Sequence, residues 1–221
     1  MLRDHASTKL AQACYKRRVP KVVDPVQRRT EVFDAVFAVI VDHGLQAVSL
    51  RRVADQAGLA IGSVRHYFDS AEAMLTAAAD EVITRISRRL ERRRDEVDGA
   101  TAEPRRILEE MLAELMPWDE PRTRETTVWL EFAVASRTVP AFRSQAERLH
   151  RGVRELAALA LRSDALVPDD RVGVEAERLA ALIDGLGLGG TLHPTALPPE
   201  RARAALRLHL DSLVLPSGNI R

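Results

Sequence analysis

Residues 57–70 read AGLAIGSVRHYFDS and contain a group of hydrogen-bonding side chains. Arg65, His66 and Tyr67 are consecutive, and Ser63 lies two positions before Arg65. Such side chains donate hydrogen bonds to phosphate oxygens and to the edges of bases, so the segment suits contact with DNA. Catalysis is not indicated, because the sequence shows no nucleophile with its base, no paired carboxylates and no metal-ligand spacing. We therefore expect a protein that is not an enzyme and that has no cofactor or metal.

A helical conformation of this segment would separate its polar and apolar side chains. At about 100° per residue, Val64 and Phe68 share one face, with Ile61 at the edge of that face. The opposite face and its flanks then carry Gly62, Ser63, Arg65, His66 and Tyr67. The apolar face would anchor the helix, and an outward Ile61 could touch a thymine methyl group.

The polar face offers several kinds of DNA contact. Arg65 can bind the O6 and N7 atoms of guanine or a phosphate, and Ser63 suits either target. His66 and Tyr67 suit phosphate oxygens at the edge of the groove. Gly62 would let the start of the helix approach a backbone closely. The alternative is a helical hairpin whose polar face is only hydrated.

A first helix is predicted to precede this segment and to support it. Asp24 is an N-cap residue, Pro25 suits the first helical position, and Gly44 is expected to end the helix in a left-handed conformation. The apolar stripe follows the i, i+3, i+4, i+7 pattern and consists of Phe33, Val36, Phe37 and Ile40.

A second helix of two turns is predicted between Ser49, its cap, and Gly58, which stops it. Its apolar face consists of Leu50, Val53, Ala54 and Ala57. Two short helices joined by a glycine-containing turn form a helix-turn-helix, whose second helix enters the major groove of DNA. Residues 57–70 would supply that second helix, and Ser49 and Arg51 complete the predicted DNA contacts.

The rest of the chain is predicted to be helical, because apolar residues recur at helical spacing without β-like alternation. Their stripes predict helices over about 75–90, 108–115, 128–136, 142–160, 179–186 and 206–213. The expected fold class is all-α, with a three-helix helix-turn-helix head followed by a larger helical domain. We divide the chain into a basic arm at 1–20, a DNA-binding domain at 21–70 and a second domain at 71–221.

Composition and charge narrow the class of protein further. Of 221 residues, 46% are hydrophobic and only 4% aromatic, which favours an aliphatic helical core. The longest uncharged apolar run, 35–41, is too short to cross a bilayer, and we expect a cytoplasmic protein with no membrane association. Its single cysteine, Cys14, excludes an internal disulfide.

The charge is distributed unevenly along the chain. Residues 1–70 contain 11 Lys and Arg against 7 Asp and Glu, a net charge of +4, whereas the remainder has 22 against 25, a net charge of −3. A basic front is typical of a protein whose N-terminal part meets phosphates, although a solvated surface explains the same bias.

The stretch 49–75, SLRRVADQAGLAIGSVRHYFDSAEAML, resembles the DNA-binding signature of the TetR family of bacterial transcriptional repressors. The family's order of cap, short helix, turn, recognition helix and following acid is met by Ser49, Val53-Ala54, Ala57-Gly58, Gly62-Ser63-Val64, Tyr67-Phe68 and Glu72. The motif matches tightly over residues 25–75, and the betaine-repressor-like branch is most similar. The resemblance implies an all-helical homodimer that binds operator DNA and a small-molecule effector.

Three positions depart from the family pattern. Ala60 replaces the serine that usually caps the recognition helix, so the start of this helix is expected to be less well fixed. Arg65 replaces a common tyrosine and shifts that position toward guanine or phosphate contact. Ala71 replaces a common lysine and removes one expected phosphate contact.

Residues 1–18 precede the usual start of the family's head and include the basic run Lys16, Arg17 and Arg18. We consider two hypotheses for them. They form a basic arm for the minor groove, or they result from a start placed too far upstream, with Val19 as the true initiator.

The resemblance also places an effector cavity among the central helices. We expect an apolar cavity with few polar groups, with ordinary core as the alternative for each lining residue. The residues expected to line it are Met111, Leu115, Trp118, Trp129, Phe132 and Phe142. Glu131 lies near Trp129 in the sequence, but close neighbours on a helix point apart, so a cation site at this pair is not favoured.

In the family the last two helices pair with those of a second subunit. We assign Leu179, Ile183, Leu186, Leu206, Leu210 and Leu213 to this dimer interface, with the core of a single chain as the alternative. GLGLGG at 185–190 fits a dinucleotide-binding pattern but lies within a predicted helix. We interpret Gly185 and Gly189 as positions that allow a close helix crossing.

These features together predict a ligand-responsive regulator, most simply a repressor released from its operator by a small molecule. As a dimer it would bind two half-sites of a pseudo-palindromic operator about 34–36 Å, or a multiple, apart. The alternatives are a ligand-independent regulator or activator and, from another class, a small-molecule enzyme.

Overall fold

A computed structural model describes residues 24–98, 104–163 and 167–213 of the chain. The α-helices within these ranges are α1 Pro25–His43, α2 Leu50–Ala57, α3 Ile61–Arg65, α4 Ala71–Asp98, α5 Pro104–Ala113, α6 Glu120–Ala135, α7 Arg143–Ser163, α8 Val172–Leu192 and α9 Pro199–Leu213. No β-strand occurs in these described ranges, and the all-α prediction is confirmed. The predicted basic arm and Cys14 lie outside the described residues.

Helix α1 has the ends that the sequence predicts. The Asp24 carboxylate accepts a hydrogen bond from the Val26 backbone N–H at 2.9 Å, and Pro25 occupies the first turn. Gly44 ends the helix with a φ of 78°, a positive value that favours glycine. Its ψ of 165° is extended rather than left-handed helical, and the chain enters a short 3-10 turn, Leu45–Ala47.

Helix α2 also begins and ends as predicted. The Ser49 hydroxyl accepts a hydrogen bond from the Arg52 backbone N–H at 3.2 Å, which caps the helix. Gly58 adopts a left-handed conformation at φ 65° and ψ 31°, and this conformation directs the chain into α3. Helices α1, α2 and α3 therefore form the predicted helix-turn-helix head.

Two hydrophobic clusters hold the described residues together. The first cluster contains core residues of the head and of the first half of α4. It also includes Val128, Phe132 and Phe142 from later in the chain. The second cluster joins α5, α7, α8 and α9. Because Val128 and Phe132 belong to α6, the head packs directly against this helix as well as against α4. Helix α4 extends over 28 residues, from the head into the second domain.

The residues assigned from the sequence to a dimer interface lie elsewhere. Leu179, Ile183, Leu186, Leu206, Leu210 and Leu213 are at most 7% exposed and belong to the second cluster of a single chain. A side chain that its own chain already covers is not available to a partner, so this assignment is corrected. The same two helices expose Val174, Leu188, Leu192 and Leu208 on their other face.

The GLGLGG segment is helical, as predicted, since α8 continues to Leu192. The predicted crossing at Gly185 is wrong, because this residue is exposed and a Cβ added there would meet no atom within 4 Å. Close approach occurs instead at Gly189, where an added Cβ would lie 2.7 Å from Leu197 Cδ2, and at Gly190, where it would lie 3.0 Å from Pro117 Cγ. These glycines let connecting segments, not another helix, close against α8.

Within the described ranges, none of the helices combines the length and the hydrophobicity needed to cross a membrane.

Candidate DNA-binding face and central cavity

Helix α3 presents the two faces that its sequence predicts. Val64 and Phe68 are buried, at 0% and 4% exposure, and Ile61 is exposed to 39%. On the opposite side, Gly62, Arg65 and His66 are exposed, whereas Ser63 and Tyr67 are half-buried. The structure thus brings the predicted polar residues together on one outward surface, the α3 polar face.

Aromatic packing fixes the C-terminal end of α3 against α1. The rings of Phe33 and Phe68 lie 5.7 Å apart, and the Arg29 guanidinium lies 5.4 Å and 5.8 Å from their centroids. Tyr67 packs against the first cluster and meets His66 edge to face at 5.2 Å. These contacts fix the orientation of the α3 polar face relative to the rest of the head.

The N-terminal end of α3 is held less firmly. Ala60 provides no side-chain hydrogen bond to the first turn, as the departure from the family pattern predicts. The helix extends over only five residues and continues as a turn in which the Phe68 N–H donates to the Val64 carbonyl oxygen. Ser49 and Arg51, the other predicted DNA contacts, are exposed at the start of α2.

A cavity of about 50 Å³ lies between α4, α6, α7 and α8. Its apolar wall includes Val82, Ile86, Leu115, Trp129, Leu149, Val153 and Ile183. Leu115 and Trp129 therefore occupy the predicted position, and Phe132 lines a smaller adjoining cavity whose wall also includes Trp129.

The other predicted cavity residues lie elsewhere. Phe142 is buried in the first cluster, where it meets Phe132 edge to face at 5.1 Å. Trp118 lies beneath the Arg203 guanidinium at 3.9 Å and lines a separate cavity of about 210 Å³ near the α8–α9 connection. Met111 is half-buried on α5 and does not line the central cavity.

The central cavity has, besides its apolar wall, a charged end. Arg89 of α4 lies 3.2 Å from the buried Glu114 and 2.7 Å from the buried Glu125 of α6. Arg122 lies 3.7 Å from Glu114 and donates to the Ala113 carbonyl oxygen at 3.1 Å. Ion pairs of this kind satisfy charges that would be costly to bury alone.

Among the acidic residues that line this cavity, Asp184 has its negative charge least compensated by nearby cations. Its nearest cation is Arg154 at 3.9 Å, and Arg154 itself lies 2.8 Å from Glu177. Burial raises the pKa of Asp184 above its ordinary value, and the positive charges of Arg154 and His150 only partly oppose that shift. A ligand in the cavity would therefore meet a carboxylate that lacks a close partner.

Comparison with known proteins identifies the family. The model for bacterial regulatory proteins of the tetR family matches residues 32–78, and the model for the C-terminal part of BetI-type transcriptional repressors matches residues 104–215. The chain is a TetR-family protein. It is therefore a DNA-binding transcriptional regulator, and its head is the DNA-binding part.

Individual relatives agree with this TetR-family membership. The chain is 31% identical over 196 residues to the HTH-type transcriptional regulator PksA of Bacillus subtilis strain 168, covering 88% of this chain and 94% of PksA. A transcriptional regulator from Rhodococcus sp. Rha1 shares the fold with a TM-score of 0.72 and 27% identity, covering 85% of this chain and 99% of the other. A regulator from Saccharomonospora viridis, solved in complex with choline, has a TM-score of 0.72 at 20% identity, covering 84% and 96%.

The sequence interpretation missed the charged residues of this TetR-family cavity. Glu125 carries a usable signal, because it precedes Val128 and Phe132 at i, i+3 and i+7 and therefore lies on the buried face of α6. Arg89 carries no such signal, because it lies among many other charged residues in the second half of α4.

Proposed function

We propose that the protein is a ligand-responsive repressor that binds its operator as a homodimer and leaves it when a small molecule enters the central cavity. The observation that carries this proposal is the α3 polar face, whose exposed Arg65 and His66 lie opposite the buried Val64 and Phe68. A helix anchored on one side and polar on the other is what major-groove recognition requires.

Within this proposal, the residues of the head have different tasks. Arg65 contacts the guanine O6 and N7 atoms, and Ile61, at 39% exposure, touches a thymine methyl. Ser63 contacts phosphate or a base edge, and His66 and Tyr67 contact phosphate. Ser49 and Arg51 also contact the DNA, and Gly62 allows close approach to its backbone. We expect the protein to act in the cytoplasm, where bacterial DNA lies.

The role of Arg65 is tested by measuring binding to the DNA upstream of the protein's own gene and to scrambled DNA at two salt concentrations. Fluorescence anisotropy should show that Arg65→Ala loses about 1–3 kcal/mol of preference for the upstream DNA. Arg151→Ala, which removes an exposed arginine of α7, is the matched control and should keep the preference. Equal losses on both DNAs would make Arg65 a phosphate contact, and absence of all DNA binding would contradict the proposal.

Dimerisation through the outer face of α8 and α9 is part of the same proposal. Val174, Leu188, Leu192 and Leu208 are between 46% and 71% exposed, and apolar side chains grouped on one surface are typical of an interface. Val174, Leu188 and Leu192 are spaced by 14 and 4 residues, so they lie on one side of α8. A second copy would cover this stripe and hold two heads at a fixed separation.

The central cavity is the proposed effector site. Its volume of about 50 Å³ is well below the 300–1,000 Å³ of typical ligand pockets, so an effector must move α4, α6 or α8 apart. A ligand that binds the widened conformation better shifts the protein toward it, and the spacing of the heads changes with it.

The chemistry of the cavity favours an amphipathic effector with a positive charge or N–H donors at one end. Asp184 offers a carboxylate whose charge Arg154, 3.9 Å away, compensates only in part, and Trp129 offers an aromatic surface. The Saccharomonospora viridis regulator, which shares the fold, is solved with choline, a ligand of this class.

This effector class is tested by adding choline or its neutral isostere 3,3-dimethylbutan-1-ol to the complex with upstream DNA. Release of DNA by choline alone would support a cationic effector. Release by the neutral compound alone would contradict it.

A further inference from the structure

A hydrogen bond joins the DNA-binding head to α6, one of the helices that line the cavity. The Leu45 backbone N–H donates to Glu131 Oε2 at 3.3 Å, across 86 positions of the sequence. Leu45 begins the 3-10 turn that connects α1 to α2, four residues before the Ser49 cap. Because the first N–H groups of a helical turn lack partners within it, this amide depends on an outside acceptor.

This bond is long at 3.3 Å, but its donor is shielded from solvent. Leu45 is only 5% exposed, and Glu131 is half-buried. A carboxylate that accepts a backbone N–H forms a charge-assisted bond, and loss of the acceptor would leave a buried donor unsatisfied. The ion pair between the half-buried Arg85 and the exposed Asp34, whose nearest atoms are 2.8 Å apart, is a second polar contact between α4 and the head.

Helix α6 connects this bond to the cavity. Glu125, Thr126 and Trp129 of α6 line the cavity, and Glu131 follows Trp129 by two positions on the same continuous helix. Val128 and Phe132 of α6 also belong to the core of the head. A displacement of the cavity wall is therefore carried along α6 to the turn before α2.

We propose that Glu131 couples the cavity to the DNA-binding head by fixing the Leu45–Ala47 turn to α6. Widening of the cavity moves Glu131, which reorients the turn and the helices that follow it. Glu131 is thus a positioning residue, and it does not contact DNA or effector. This inference rests on the proposed function, in which the cavity receives the effector.

The test uses an enlarged side chain inside the cavity to imitate the presence of an effector. Gly187 of α8 lines the cavity, and a Cβ added to it would lie 3.8 Å from Thr126 Cγ2 of α6. That distance is an ordinary contact for a Cβ, but a leucine carries three further carbon atoms, so we expect Gly187→Leu to push α8 and α6 apart. Gly152→Leu is the matched control, because Gly152 is an exposed glycine in the middle of α7 with open space around it. Circular dichroism verifies the fold of each variant.

The measured quantity is the Kd for upstream DNA in a double-mutant cycle. We expect Gly187→Leu to weaken binding by about tenfold or more in the wild-type background and by less than about threefold in the Glu131→Ala background. Glu131→Gln, which keeps an acceptor oxygen, should restore most of the response. Hydrogen exchange should show reduced protection of the Leu45 amide in Glu131→Ala and near-normal protection in Glu131→Gln.

The outcomes separate this inference from the proposed function. An equal loss of affinity in both Glu131 backgrounds would overturn the coupling role and leave the cavity's effect on DNA intact. If Gly187→Leu binds DNA as tightly as Gly152→Leu does, the cavity does not control the head, and both proposals fail. Should Gly187→Leu not fold, Thr126→Leu enlarges a residue of the opposite wall and replaces it in the cycle.

Discussion

At the scale of single residues, Asp184 has the most specific consequence for stability. Its raised pKa means that the folded state holds the proton more tightly than the unfolded state does. The ionised carboxylate therefore destabilises the fold at pH values above the raised pKa. This penalty decreases as the pH falls toward the ordinary value of 3.8 and is absent below it.

Asp184→Asn should accordingly raise the free energy of unfolding at pH 7.5, and its advantage over the wild type should shrink steadily as the pH is lowered toward 4. Urea denaturation across this range measures both effects. Asp170→Asn, at an exposed position before α8, controls for the loss of one negative charge. Lower stability of Asp184→Asn at pH 7.5 would mean that the Arg154 interaction outweighs desolvation.

Single residues were predictable where local periodicity decides their environment. The positions of Val64 and Phe68 inside and Arg65 outside follow from 100° per residue. The charged end of the cavity was not predictable, because Arg89 and Glu125 meet only through the packing of helices 36 positions apart in the sequence. Apolar residues signal a buried face, whereas a charged residue does not indicate which distant partner it will meet.

At the scale of elements, capping explains both the accurate and the inaccurate predictions. Asp24 and Ser49 marked the starts of α1 and α2 correctly. Helix α6 was predicted to begin near residue 128 but begins at Glu120, because Asp119 accepts a hydrogen bond from the Arg122 N–H at 2.9 Å. The sequence Asp119-Glu120-Pro121 is typical of a helix start. The threonines after it, however, interrupt the apolar stripe by which periodicity detects a helix.

Helix α3 offers a test of capping within the head. Ala60→Ser should supply the missing acceptor to the first turn of α3 and stabilise the protein by about 0.5–1 kcal/mol. Affinity for upstream DNA should rise or stay unchanged, since the recognition helix becomes better fixed. Ser49→Ala, which removes the existing cap of α2, should destabilise the protein by about 1 kcal/mol and serves as the reciprocal control. Thermal and urea unfolding measure both changes, and a destabilised Ala60→Ser variant would contradict this account of the helix start.

At the scale of the whole molecule, the two faces of α8 and α9 explain why the dimer surface was assigned wrongly. Both faces carry leucines, and a stripe at helical spacing does not distinguish the core of one chain from a contact between chains. Packing decides the question, because the second cluster covers Leu206 and Leu210 and leaves Leu208 at 71% exposure.

Leu208→Glu should therefore dissociate the proposed dimer, because it places like charges opposite each other at a symmetric contact. Sedimentation velocity should show a monomer at concentrations where the wild type is a dimer. Val134→Glu, which alters a similarly exposed apolar residue of α6, should remain dimeric. A monomeric wild type, or a Leu208→Glu variant that sediments as a dimer, would contradict the proposed interface.

The small volume of the central cavity also has a consequence for timing. A space of about 50 Å³ does not admit a drug-sized molecule, so under the proposed function the helices separate before the effector enters. At low effector concentration the rate of binding then rises with concentration, and at high concentration it levels off at the rate of opening. Collective helix motions of this kind take microseconds to milliseconds. Raising the effector concentration in the cell would therefore not speed the response beyond this opening rate, which is set by the packing of α4, α6 and α8.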